Sequence, residues 1–345
     1  MTRVYFIHEF IHDFDGFANY IHLDEETKQK IQWDPINPEI LVASEWIYYK
    51  SKLYSEFKRL FYKAKIRVMF AGEAFDPDMN FFDYGVGFSN TFNYGDRFIR
   101  LLSPLDMFKN FIPLKENTIN NLESAYKTLE NKKGFCNFLY SNPIAHPRRD
   151  QIFYELSTYK RVDSLGRHLN NVGKLGTGFV GHAVDGVDIK SLYKFSIACE
   201  NATFGGYTSE KIYSSLCAHT VPIYWGNPCI CEDVNPKAFI NANEFTPKEL
   251  VEYVEYVDTH DDVWMRMIME PWMTKEQMER HNKRTDEFYK FFRWLFDGDI
   301  DSKCRVANGT HVDCYRTYFL KGVFPMQLNL HTLPQYINKL KKKFK

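Results

Sequence analysis

Residues 193 to 211, YKFSIACENATFGGYTSEK, gather the residue types that can hold an anion. The apolar run Tyr193 to Cys199 has the length and composition of a buried strand. It ends on Glu200 and Asn201, passes through Gly205, Gly206 and Tyr207, and reaches Thr208, which is placed to cap a helix through Ser209, Glu210, Lys211 and Ile212 to about Ala218. A strand, a glycine loop and a helix start together turn backbone N–H groups toward one point, the arrangement that binds phosphate. Lys211 bears on the same question, because a cation in a first helical turn opposes the helix dipole unless an anion compensates it. A bound diphosphate is one such anion, and a simply solvated lysine accounts for the residue equally well. The stretch is not a P-loop: Ile212 follows Lys211 where Ser or Thr is required, and the glycine spacing is wrong.

Other patterns carry less. Gly176, Gly178 and Gly181 spell a literal GxGxxG, but the polar segment before them is no buried strand and Gly186 interrupts any following helix, so they read as a loop. Asp13-Phe-Asp15 and Asp76-Pro-Asp78 are DxD strings of the kind that bridge a cation to diphosphate, and both read better as turns. The seven cysteines offer no zinc-site spacing, and reduced thiols are the expectation. Asn201-Ala-Thr203 is a glycosylation sequon where a glycan would block an anion site, which fits a chain that does not meet the eukaryotic secretory route.

The elements that must position these residues alternate in type. Val4 to Ile7, Ile40 to Ser44 and Ile66 to Ala71 read as short buried strands. Between the last two, Trp46, Tyr49, Leu53, Phe57 and Leu60 form a stripe at helical spacing, giving a βαβ unit and hence a parallel sheet. Residues 123 to 134, ESAYKTLENKKG, read as a polar bridge and place a domain boundary at about 130. A second series follows: a strand from Phe135 to Tyr140, a helix from about Arg149 to Tyr159, strands at 193 to 199, Val221 to Trp225 and Ala238 to Ala242, a helix from Pro247 capped by Thr246 with Glu249, and long helices through 260 to 297. Two consecutive α/β domains with the ligand in the cleft are the expected architecture, with residues 1–130, 131–325 and a basic tail, 326–345, as its parts.

Bulk composition excludes several function classes. The chain has 345 residues, 44 basic against 44 acidic, so neither nucleic acid nor a membrane surface is expected as a general partner. The tail carries five lysines in its last seven residues, enough for a weak peripheral touch on anionic lipid at most. No run of about 18 apolar residues occurs, and the N-terminus does not read as a signal peptide. Aromatics reach 17%, supplying core volume and flat faces on which sugar rings stack.

YKFSIACEN…GGYTSEKI, AHTVPIYWGNP and NPKAFINANEF, nearly continuous from Tyr193 to Phe245, resemble the donor-site signature of the glycosyltransferase family 10 α-1,3/4-fucosyltransferases. FAGEAFDPDMNFFDYGVGFS (70 to 89) is similar to the family's acceptor-side acidic loop, and SNPIAHPRRDQIFYELSTYKRVDSLGR (141 to 167) to the start of its second domain. The resemblance implies a GT-B fold, two Rossmann-like domains facing each other across a cleft. It implies GDP-β-L-fucose as donor and inverting transfer to an oligosaccharide of the N-acetyllactosamine or lactose type, at O3 of GlcNAc or Glc. It places Glu73 at the family's general base. Arg149 and Lys211 fall at its diphosphate cations, Asn201 and Tyr207 at donor contacts, and Glu210 at the carboxylate holding the ribose hydroxyls. The implied enzyme needs no cofactor and no obligatory metal. A bacterial cytoplasmic member, peripheral to the inner membrane at most, is the expectation, with a trimmed Golgi-type ectodomain as the alternative source. Two other readings stand beside it: another nucleotide-sugar transferase of the same fold, and a glycan-binding relative without turnover.

The chemistry matches those residue types. Inverting transfer requires one base for the acceptor hydroxyl, and a carboxylate just after the strand IRVMFA lies where open α/β sheets place ligands. The departing diphosphate gathers negative charge, which fixed cations stabilise more in the transition state than before it.

Overall fold

Runs too apolar to face water on either side settle into two all-parallel sheets, whose crossovers cover both faces with helices. The computed structural model describes residues 1–101, 104–107, 116–173, 186–307 and 309–320. Gly176, Gly178 and Gly181 and the lysine-rich tail lie outside the described residues.

The first sheet comprises Thr2–Ile7 (β1), Ile31–Trp33 (β2), Ile40–Ser44 (β3), Ile66–Phe70 (β4), Tyr84–Gly87 (β5) and Phe98–Arg100 (β6). Their order is β2-β1-β3-β4-β5-β6, and every pairing is parallel. The inner strands β3, β4 and β5 are buried throughout. The helical stripe after β3 forms as expected but in two pieces, Trp46–Tyr49 and Ser51–Phe61, because Lys50 takes an extended conformation (φ −123°, ψ 113°). Leu60, Phe61, Leu41 and Met69 meet in the core beneath it.

The second sheet comprises Gly134–Phe138 (β7), Val162–Ser164 (β8), Tyr193–Cys199 (β9), Val221–Trp225 (β10) and Ile240–Asn241 (β11), in the order β11-β10-β9-β7-β8, again all parallel. β11 is shorter than expected because Pro236–Ala238 closes as a 3-10 turn, with the Asn235 side chain accepting from Lys237 N. The helix Pro247–Thr259 carries the expected capping box of Thr246 and Glu249.

The polar stretch at 123 to 134 is not a bridge. The helix Leu122–Glu130 occupies most of it, capped by Asn121, whose side chain accepts from Ser124 N. Ala125 packs with Phe135 and Ile152 in the second core, so the charges are the helix's solvated face.

The chain divides into two compact units, Met1–Leu101 with Asp286–Lys345, and Leu102–Thr285, where 130/131 and 325/326 were the expected boundaries. Packing explains the difference. Ala125 belongs to the second core, whereas Phe288 packs on Phe70 (ring centroids 6.5 Å apart) and Phe291 on Tyr84 (5.5 Å) in the first. Among the described residues, no helix is long and apolar enough to cross a membrane.

Candidate functional site

In the second unit the chemistry gathers at the carboxyl end of β9. Glu200 follows the strand and is fully buried. Its Oε1 accepts from Ser209 N at 2.8 Å, and its Oε2 accepts from Ser209 Oγ at 2.6 Å and from Lys211 Nζ at 3.3 Å. Lys211 Nζ also donates to Ser209 Oγ at 2.8 Å and lies 3.7 Å from Glu210 Oε1. Burial pushes the Glu200 carboxyl up, while Lys211 and Ser209 pull it back. Lys211 is therefore not a solvated lysine: its side chain is 13% exposed and two carboxylates offset its position in a first helical turn. The helix is Glu210–Cys217 and its cap position is Ser209, not Thr208, because Ser209 is drawn to Glu200 while Thr208 Oγ1 accepts from Asn227 Nδ2 at 3.0 Å.

Arg149 approaches the same strand end from the helix Arg148–Tyr159. Its guanidinium lies 4.7 Å over the ring of Tyr140, whose hydroxyl donates to the carbonyls of Ile197 and Cys199 at 3.1 and 3.0 Å. Its Nη2 donates to Asn142 O at 3.0 Å and its Nε to Asp150 Oδ1 at 3.2 Å. Its Nη1 is buried and has no hydrogen-bond partner among the described residues. A buried cationic donor without a partner is costly, and an incoming oxyanion relieves that cost. Arg148 beside it is committed elsewhere, with Nη1 donating to both oxygens of Glu155 at 2.8 and 2.9 Å.

The loop ahead of that helix is tied to the strand end, His146 N donating to Asn201 O at 2.8 Å and the His146 ring stacking on Trp225 at 4.6 Å. Tyr207 is buried, its carbonyl accepting from Tyr224 Oη at 3.4 Å. Burial acts to raise the Glu210 carboxyl, but Lys211, its own N–H, Lys190 and Ser209 outweigh it and hold the group below the usual carboxylate range. A charged carboxylate is an acceptor for paired hydroxyls. Arg149, Asn201, Tyr207, Glu210 and Lys211 thus border one strand end.

Glu73 belongs to the first unit, in the turn after β4, where Phe75 N donates to its carbonyl at 2.9 Å. Of the neighbouring acids, Asp78 makes a turn, its Oδ1 accepting from Asn80 N at 2.9 Å, and its Oδ2 accepts from Tyr315 Oη at 2.8 Å. Asp13 is a helix cap accepting from Gly16 N at 2.7 Å, and Asp15 stands in that helix's first turn. Among the described residues, no group of three or more His, Cys, Asp or Glu is arranged to hold a metal ion.

Two residues of this site were not singled out for a role from sequence. Glu200 is the hub for Ser209 and Lys211, and its signal was a lone acid closing an apolar run. Asn227 is fully buried and clasps the glycine loop, its Oδ1 accepting from Gly206 N at 2.8 Å and from Cys229 N at 2.9 Å. No local pattern marks an asparagine for that.

A family model described as glycosyltransferase family 10 (fucosyltransferase), C-terminal part, matches residues 129–308. The chain is 29% identical over 244 residues to an α-(1,3)-fucosyltransferase of Helicobacter pylori, covering 62% of this chain and 48% of that protein. It is 28% identical over 216 residues to GDP-fucose protein O-fucosyltransferase 3 of Canis lupus familiaris, covering 61% and 43%. These matches thus span about half the length of the relatives. The crystal structure of an α1,3-fucosyltransferase with GDP-fucose aligns with a TM-score of 0.65 at 23% identity, over 89% of this chain and 93% of that one. The shared fold is GT-B, with two Rossmann-like parallel sheets.

Proposed function

The chain belongs to glycosyltransferase family 10, the fucosyltransferases, and on that premise we propose that it transfers L-fucose from GDP-β-L-fucose to a hydroxyl of an oligosaccharide, with inversion to an α-fucoside. The observation that carries the donor half of this reading is the buried Nη1 of Arg149, which has no hydrogen-bond partner among the described residues, at the strand end that also holds Lys211. In the proposed reaction Arg149 grips diphosphate oxygens in a fork and Lys211 acts as a point charge. Both meet charge that grows as the sugar departs, without an obligatory metal. Glu210 accepts from the ribose hydroxyls, and Asn201 and Tyr207 contact the donor. Glu73 takes the proton of the attacking hydroxyl, which is O3 of GlcNAc or Glc in an acceptor of the N-acetyllactosamine or lactose type. The O-fucosyltransferase relative favours one second reading, a protein hydroxyl as acceptor.

Calorimetry with GDP, UDP and ADP tests the donor: GDP binds tightest, and a preference for UDP or ADP refutes the assignment. Glu73→Gln lowers fucosyl transfer by about 10² to 10⁴ with GDP affinity nearly unchanged; full activity in that variant removes Glu73 as the base. N-acetyllactosamine, lactose, their isomers and a folded glycoprotein domain, offered in parallel, separate the two acceptor classes.

A further inference from the structure

We propose that Glu45 is a positioning residue for Glu73: its buried carboxylate grips the Gly72 N–H and so fixes the turn that presents the base. The proposal rests on the reading of Glu73 given above.

Glu45 follows the last residue of β3, and the parallel register sets Ser44 beside Phe70, so Glu45 emerges where Ala71 and Gly72 leave the neighbouring strand. Its Oε2 accepts from Gly72 N at 3.1 Å, one residue before Glu73. Gly72 is not a glycine for the sake of its backbone angles, since its φ lies outside the left-handed region. It is a glycine because a Cβ there would stand 3.0 Å from Glu45 Oε1. The carboxylate and the turn are thus fitted to each other, and Glu45 is 8% exposed, an uncommon place for an acid with no oppositely charged partner among the described residues.

The groups that face Glu45 are Glu73 on the turn, Tyr20 on the helix Phe14–Tyr20 and Tyr49 on the helix Trp46–Tyr49. Burial first, and then the charge of Glu73, push the Glu45 carboxyl up to about 7 against the pull of the Gly72 N–H. A carboxylate holds a backbone N–H more strongly charged than neutral. Deprotonation of Glu45 therefore tightens the turn that presents Glu73. That raises turnover as pH rises through the Glu45 transition.

The test uses the full chain, Glu45→Gln, which keeps shape and an acceptor oxygen, and Glu45→Ala, with GDP-fucose as donor and N-acetyllactosamine as probe acceptor. In the wild type kcat rises with a midpoint near pH 7. In Glu45→Gln that step disappears, kcat above the step falls about tenfold, and the KM for GDP-fucose stays unchanged. Glu45→Ala falls further, by up to about 10². The Gly72 amide resonance, read without turnover, titrates with the same midpoint in the wild type and not in Glu45→Gln. A Glu45→Gln enzyme with wild-type kcat and pH profile overturns the proposal, as does a Gly72 resonance that titrates alike in both. Absence of fucosyl transfer by the wild type instead removes the functional reading, while the Gly72 titration still decides whether Glu45 governs the turn.

Discussion

At the scale of single residues, the adjacent pair Arg148 and Arg149 shows how neighbours in sequence take opposite employment. One helical step turns Arg148 to Glu155 on its own helix and sends Arg149 inward over Tyr140. An ion pair along one helix is worth little, whereas a buried guanidinium with an unfilled donor is poised for an anion. Arg149→Lys keeps the charge but loses the fork, so GDP affinity falls about tenfold. Arg148→Lys changes it less than about twofold. Titration calorimetry of both variants checks this, and equal losses would show that the anion does not meet Arg149 in particular.

At the scale of elements, both units use one device. An inner parallel strand ends on a buried glutamate, Glu45 after β3 and Glu200 after β9, and the carboxylate accepts a backbone N–H from the segment bearing the proposed chemistry, Gly72 N before Glu73 and Ser209 N before Glu210 and Lys211. The carboxyl ends of parallel strands are where such folds bind ligands, so an acid there can anchor a working loop to a rigid edge. Space is reserved for it. A Cβ on Gly226, whose φ is 149°, would stand 2.5 Å from Glu200 Cγ. Gly226→Ala therefore destabilises the chain by about 1 to 3 kcal/mol and displaces Glu200. Urea unfolding measures the first effect, and weaker GDP binding at temperatures where the variant is folded reports the second. Unaltered GDP binding would uncouple Glu200 from the donor.

At the scale of the whole molecule, the first unit is assembled from both ends of the described chain. Phe288, Phe292, Leu295 and Phe296 are buried, with Phe288 on Phe70 and Phe296 against Phe17 (6.2 Å). Burying such side chains contributes on the order of 10 kcal/mol together, comparable to the net stability of a domain. A chain ended after Thr285 therefore loses the fold of residues 1–101. Hydrogen exchange followed by mass spectrometry checks it: β1 to β4 lose protection, and persistent protection there would show that the first sheet stands without its returning helix.

Sequence by itself determined what depends on local or periodic features. The apolar runs of β1, β3, β4, β9 and β10, the helical stripe after β3, the Thr246 and Glu249 cap and the long motif from Tyr193 to Phe245 all express themselves within a few turns of chain. Short or edge strands such as β2, β6 and β8 carried too few residues to show a period. Tertiary structure alone decided that the charged helix Leu122–Glu130 belongs to the second core, that the chain returns to the first unit after Thr285, and that Glu45 and Glu200 are buried and gripping N–H groups. Each of these is fixed by which strand or helix lies alongside, and a side chain's burial and partners follow from neighbours dozens of residues away that no local spacing encodes.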